Sequence, residues 1–153
     1  MSVLKPDTLP EGVPFVAGAT VIDALRNAPD LDGAKILDNP VRSSDLVEGD
    51  RIIFFEDQID KLLEQPAQRQ YRTYGFSIGV ISRTTDARRA AHRDYRAVKR
   101  VLRSLSMPAI SQAGVEIAKS GIREGEVRYR LENIDVGGGL IVGLFTLDYR
   151  DPL

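Results

Sequence analysis

Residues 135–153 read DVGGGLIVGLFTLDYRDPL. Three glycines ahead of an apolar run admit two structures: a phosphate-cradling loop that opens a helix, or a flexible lead into a strand. A phosphate loop converges backbone N–H groups on the anion at a helix start and closes with Gly-Lys-Ser/Thr. No lysine follows Gly137, Gly138 and Gly139, and the residues that do follow are β-formers in alternation. Ile141, Phe145, Leu147 and Tyr149 fall on one side with Gly143, and Val142, Leu144, Thr146, Asp148 and Arg150 on the other. The pattern predicts a strand, apolar on both faces at first and reaching the rim at its polar end. The glycines are then hairpin and loop chemistry.

Other segments fall into place around that strand. RIIFFED (51–57) sets four apolar residues in a row, Ile52 to Phe55, as suits a strand buried on both faces. RTYGFSIGVIS (72–82) alternates Tyr74, Phe76, Ile78 and Val80 with Gly75, Ser77 and Gly79, a strand whose small face lets something pack closely. Between them QIDKLLEQPAQRQ (58–70) predicts a short helical turn or an excursion between paired strands, stopped by Pro66. GVEIAKSGIREGEVRYRLENID (114–135) suggests two strands. In the second, Val127, Tyr129 and Leu131 face in while Arg128, Arg130 and Glu132 face out.

Two helices are expected. FVAGATVIDALRNAPDL (15–31) is helical from about residue 16 to 27, with Val21, Ala24 and Leu25 on one side and Pro29 beyond the end. TTDARRAAHRDYRAVKRVLRSLSMP (84–108) is the stronger: Thr85 or Asp86 caps it and Pro108 follows it. At 100° per residue Ala87, Ala91, Val98, Val101, Leu102 and Leu105 form one stripe. Arg89, Arg93, Arg96, Arg100 and Arg103 lie within about 40° of the opposite direction. Residues 1–14, with Pro6, Pro10, Gly12 and Pro14, read as an extended arm, and 15–153 as a single domain in which 30–50 is mostly loop. With few helices, strands must pair largely through hairpins. The expected class is α+β: a mixed, mostly antiparallel sheet of four to six strands with two main helices on one face.

Composition narrows the chemistry. At 42% hydrophobic and 28% charged, 153 residues suit one packed core. The absence of cysteine removes disulfides, thiol nucleophiles and thiolate metal sites. No stretch of 18 apolar residues suggests a membrane span, and MSVLKPDTLP lacks the apolar core of a secretory signal. His92, the single histidine, has no orienting partner in view, since Asp94 two residues on points elsewhere on a helix, so a surface role is expected. EGD and EDQID lack calcium-loop spacing, and no spacing singles out a pair among the 22 Asp and Glu for hydrolysis. No catalytic, cofactor-binding or metal-ligating residue is nominated.

Charge is the one feature with a sharp alternative. Residues 83–103 hold eight Arg or Lys against Asp86 and Asp94, a local +6 within a net −1, which leaves −7 for the rest. A solvated helix face ordinarily mixes signs so that i,i+4 pairs form. Five arginines in steps of 4, 3, 4 and 3 instead suggest a partner: the acidic surface of a neighbouring copy, or nucleic acid. No aromatic residue interleaves the stripe, which disfavours stacking on single strands.

The order of these pieces resembles the tail terminator (minor tail protein U-like) family of long-tailed bacteriophages, over about residues 35–150. The matching pieces are RIIFFED as early strand, then RTYGFSIGVISRTTDARRAAHRDYRAVKRVLRSLSMP as strand, turn, long helix and proline. VRYRLENIDVGGGLIVGLFTLDYRD follows as strand, turn and closing strand. The arginine face and the proline-rich arm are not part of the resemblance. It implies a non-enzymatic structural protein without a cofactor, whose subunits form a hexameric ring on the last ring of the tail tube and stop its growth. Implied partners are further copies of itself, the tail tube protein and the head-side connector, with transient DNA contact and no membrane. The implied place is the head-proximal end of the virion tail, after synthesis in the bacterial host cytoplasm. Alternatives are a head–tail neck or connector completion protein, a nucleic-acid-binding module using Arg89, Arg93, Arg96, Arg100 and Arg103, and, more remotely, a carboxylate hydrolase.

Overall fold

The computed structural model describes residues 11–39, 49–65, 70–105, 116–133 and 138–151. Within them lie α1 (Gly12–Arg26), a 3-10 turn (Pro29–Leu31), β1 (Lys35–Asp38), β2 (Arg51–Glu64), β3 (Gln70–Ser82), α2 (Ala87–Ser104), β4 (Glu116–Asn133) and β5 (Gly138–Asp151). The strands form one sheet in the order β1-β2-β3-β5-β4. Every pairing is antiparallel except β1 with β2. The architecture is the expected α+β one. β3 and β4 run parallel to each other on either side of β5, so α2 is the crossover between them and β5 fills the gap.

The C-terminal stretch is a strand, and its burial alternates without a break from Gly139 to Tyr149. Ile141, Phe145, Leu147 and Tyr149 enter the main core, as their spacing requires. They meet Ile53 and Phe55 of β2 and Tyr74, Phe76, Ile78 and Val80 of β3 on the same face. Both helices cover that face: Val13, Ala17, Val21 and Leu25 from α1, and Ala91, Tyr95, Val98 and Leu102 from α2. Phe76 sits at the centre, its ring 5.0 Å from Phe55, 5.5 Å from Tyr74 and 5.6 Å from Phe145. On the opposite face Ile52, Phe54 and Ile81 form a smaller cluster with Leu37, Leu140 and Val142.

The glycines of β3 are explained by their cross-strand partners. Phe54 lies opposite Gly79, and a Cβ there would stand 2.0 Å from the ring. Ile59 lies opposite Gly75, its Cγ2 2.8 Å from where a Cβ would be. Large side chains of β2 occupy the space their neighbours leave empty, the arrangement by which an aromatic compensates a strand glycine.

Several expectations are corrected. Helix α1 starts at Gly12, before residue 16, and takes in three residues assigned to the arm. Pro14 is tolerated because the first-turn N–H groups have no intrahelical acceptor in any case. Residues 1–10 of the arm lie outside the described residues. Ala24 is only half-buried, whereas Ile22 joins the buried side of α1. The region 30–50 holds a short strand, β1, parallel to Ile52–Phe55. QIDKLLE is neither helical turn nor excursion but the continuation of β2, in ladder register with β3 as far as Glu64. Cross-strand pairing outweighs the weak local preference of that segment.

The two strands expected over 114–135 are one edge strand, β4, with register shifts between Ile117 and Ile122, Glu124 and Val127, and Arg130 and Asn133. Gly121, at φ 61°, supplies the left-handed step that such a bulge needs. Val127 packs against the core as expected, but Tyr129 is 54% exposed. The side chains of Leu131 and Glu132, together with Pro66, Pro108 and Gly137, lie outside the described residues.

Candidate interface

Helix α2 sorts its residues sharply. Ala90, Ala91, Tyr95, Ala97, Val98 and Leu102 are buried, while Ala87, Val101 and Leu105 flank them half-buried. The five nominated arginines, Arg89, Arg93, Arg96, Arg100 and Arg103, are all exposed on the outer side. Asp86 holds the N-cap position, yet its carboxylate makes no capping bond and pairs with Arg89 at 3.3 Å. Arg100 approaches Asp30 at 3.9 Å. Two members of the stripe therefore have acidic neighbours, Arg89 at the local i,i+3 spacing and Arg100 from the distant 3-10 turn. Arg93, Arg96 and Arg103 form no ion pair among the described residues. His92 is half-buried, stacked on Tyr129 of β4 at 5.4 Å, and is not the plain surface residue expected.

The helix is locked to the sheet by polar side chains. Asp94 is 1% exposed and receives two hydrogen bonds from Arg51 at the start of β2, each 3.0 Å long. The same guanidinium donates to the carbonyls of Asp32 at 2.8 Å and Asp30 at 3.3 Å, tying strand, helix and 3-10 turn together. The Asp94 hydrogen bond, offset in part by burial, raises the Arg51 pKa further. Tyr95 crosses above Gly143, where a Cβ would stand 2.2 Å from its hydroxyl oxygen, and donates to Glu124 of β4 at 2.8 Å. Burial, then the Glu124 bond, pushes the Tyr95 phenol well above its ordinary range. Lys99 reaches the same carboxylate at 3.4 Å.

A second feature was not legible beforehand. Beyond the end of β1, β2 continues as the edge strand, paired with β3, which stays paired with β5, and there lies a cleft of about 610 Å³ beside the first turn of α1. Tyr74 donates to Asp57, and Tyr149 donates to Asp60 at 2.9–3.0 Å. Asp60 also accepts from Arg72 at 3.0 Å. Burial first and these carboxylates second raise both phenols, so they act as neutral donors. Phe15 forms a wall of the cleft and is 59% exposed. Asp60 and Tyr149 lie 89 residues apart, and no local pattern announces such a pair.

Among the described residues no group of three or more His, Asp or Glu is placed to hold a metal ion. No helix is long and apolar enough to cross a membrane. Two surfaces stand out: an exposed arginine face, and an acidic cleft with apolar walls. Comparison with models of known protein families finds no match, and a search of curated proteins finds no significant relative. Chemistry therefore has to be judged from the residues themselves. Tyrosines that hold carboxylates, beside exposed aromatic and aliphatic groups, make a surface fit for contact.

Proposed function

We propose that this chain is a structural subunit that works by contact, a tail terminator of a long-tailed bacteriophage. In this proposal it closes as a ring, a hexamer, on the end of the tail tube and meets the head-side connector. The observation that carries it is the segregation of charge on a rigid frame. An exposed arginine face on α2 is held in place by Arg51–Asp94 and Tyr95–Glu124, on a body that is acidic elsewhere. Complementary patches on different sides of one subunit favour head-to-tail contacts, the kind that close into rings. The order of strands and helices that carries the family resemblance supports the same reading. Mass measurement in solution with negative-stain imaging, alone and with purified tail tubes, tests it. Rings, free or on tube ends, are the expected result. A chain that neither self-associates nor caps tubes ends the proposal.

Nucleic-acid binding by the same helix is the second reading, favoured by the exposed Arg93, Arg96 and Arg103, which are unpaired among the described residues. Were all five arginines on phosphates, log K would fall against log salt with a slope of about −4.5. A filter-binding salt series that gives a flat response removes it.

A further inference from the structure

On the helix side β3 and β5 are buried as far as Tyr74 and Tyr149, whereas β2 is exposed beyond Glu56. Asp57 stands opposite Phe76, Asp60 opposite Tyr74 and Leu62 opposite Arg72, so these β2 residues share the face on which the helices pack. The first turn of α1 borders the start of this stretch, and residues 57–65 are all exposed. Of the large apolar side chains exposed among the described residues, Leu62 is on this face and Phe15 is beside its base, while Ile59, opposite Gly75, lies on the reverse face of the hairpin. A sheet face of this kind is completed by a helix.

We propose that the occupant is the α2 arginine face of a second copy of this chain, an inference that rests on the ring reading above. Charge complementarity selects it. The cleft sets Glu11, Asp57, Asp60 and Asp151 against Arg72 alone, a surplus of three negative charges. Arg93, Arg96 and Arg103 of α2 are exposed without carboxylate partners among the described residues. Dimensions agree as well. Arg96 to Arg103 spans about 10 Å at 1.5 Å per helical residue. Asp57 to Asp60 spans about 10 Å at 3.3 Å per strand residue. The whole stripe, Arg89 to Arg103, is about 21 Å long, against about 23 Å for the hairpin segment from Asp57 to Glu64.

In the docked pair the arginine stems lie on Phe15 and Leu62 while their guanidinium groups reach the carboxylates, the division that long cationic side chains favour. Asp57 and Asp60 already accept from Tyr74, Tyr149 and Arg72, but an ionised carboxylate has about four acceptor sites. The cleft and the outer side of α2 are different surfaces of one subunit. In a ring this contact is heterologous, with each copy giving a helix to one neighbour and a hairpin to the other.

The test uses charge exchange on the full chain. Arg96→Glu with Arg103→Glu reverses the helix, and Glu11→Lys with Asp151→Lys reverses the cleft without touching the tyrosine–carboxylate bonds. Each variant alone, shown folded by circular dichroism, should associate at least about tenfold more weakly than wild type by sedimentation. An equimolar mixture of the two should associate again, because helix-reversed and cleft-reversed copies can alternate. As a readout independent of charge reversal, the cysteine-free background allows Arg96→Cys and Glu11→Cys to be placed on separate copies. A short bismaleimide should join them. Wild-type rings that tolerate both reversals, with no cross-link, would overturn this contact and leave the ring standing. A wild-type chain that stays monomeric at low salt and high concentration, on tubes as well as off them, sinks both.

Discussion

Asp94 carries a charge into the buried side of a helix, and the cost of removing it from water is met by two hydrogen bonds from Arg51. Arg51 keeps about a quarter of its side chain exposed, so water can partly repair its loss of a partner. Asp94→Ala should therefore cost about 2–3 kcal/mol, toward the low end for a broken buried pair. A lower urea midpoint at unchanged slope would register it. Replacing both residues together, Arg51→Met with Asp94→Leu, should recover most of that loss. The tyrosines give a second prediction. Folding raises the pKa of Tyr74, Tyr95 and Tyr149 by burial first and by carboxylate bonds second. Their neutral forms are thus favoured in the folded chain, a contribution fully present below the unfolded phenol pKa of about 10. It is lost as pH rises from there toward the folded values. Denaturation midpoints should fall through that window, and Tyr95→Phe should flatten the fall. A midpoint that holds steady to high pH would refute this. Neither feature is legible in sequence, because the partners of Asp94 and Tyr95 lie 43 and 29 residues away.

Strand β3 was readable from its own residues, down to a small face awaiting a close neighbour, though which neighbour was not. Phe54 fills the space above Gly79, so Gly79→Val must displace a buried ring. The expected loss is about 1–3 kcal/mol, typical of overpacking, measured as a shift in thermal midpoint. Helix α2 was equally legible, since an apolar stripe opposite five arginines has one sensible orientation. Its core side should behave as packed interior: Leu102→Ala should cost about 2–4 kcal/mol. A charge substitution at exposed Arg93 should move stability by no more than about 0.5 kcal/mol. If both substitutions have equal effect on the urea midpoint, the helix is rotated from its described orientation. The distal half of β2 misled because QIDKLLE has no strand alternation of its own and is held extended by ladder bonds to β3. β4 was divided in two because its bulges break the two-residue period at Gly121 and again near Glu124–Val127.

At the scale of the molecule, one sheet face carries both helices and the main core, and the charge of the chain is divided between α2 and the rest. Surfaces divided in this way attract head to tail, and salt weakens the attraction where the charges are exposed. Assembly should accordingly be strongest at low ionic strength. The mean mass by light scattering should fall between about 0.05 and 0.5 M salt as the screening length shrinks from roughly 14 to 4 Å. A mass independent of salt would point instead to a ring closed by apolar contacts, with Ile59, Leu62 and Leu63 of the hairpin as the first residues to substitute.

By itself the amino-acid order determined the fold class, the faces of β3, β5 and α2, and the segregation of positive charge. Each of these depends on side-chain periodicity within one element, and periodicity is local. Only the tertiary structure decided that β5 lies between β3 and β4, that Asp94 is buried against Arg51, and that Asp57, Asp60, Tyr74 and Tyr149 meet beside the first turn of α1. Those outcomes come from segments far apart in the chain competing for the same strand edges and the same buried space. No window of neighbouring residues contains that competition.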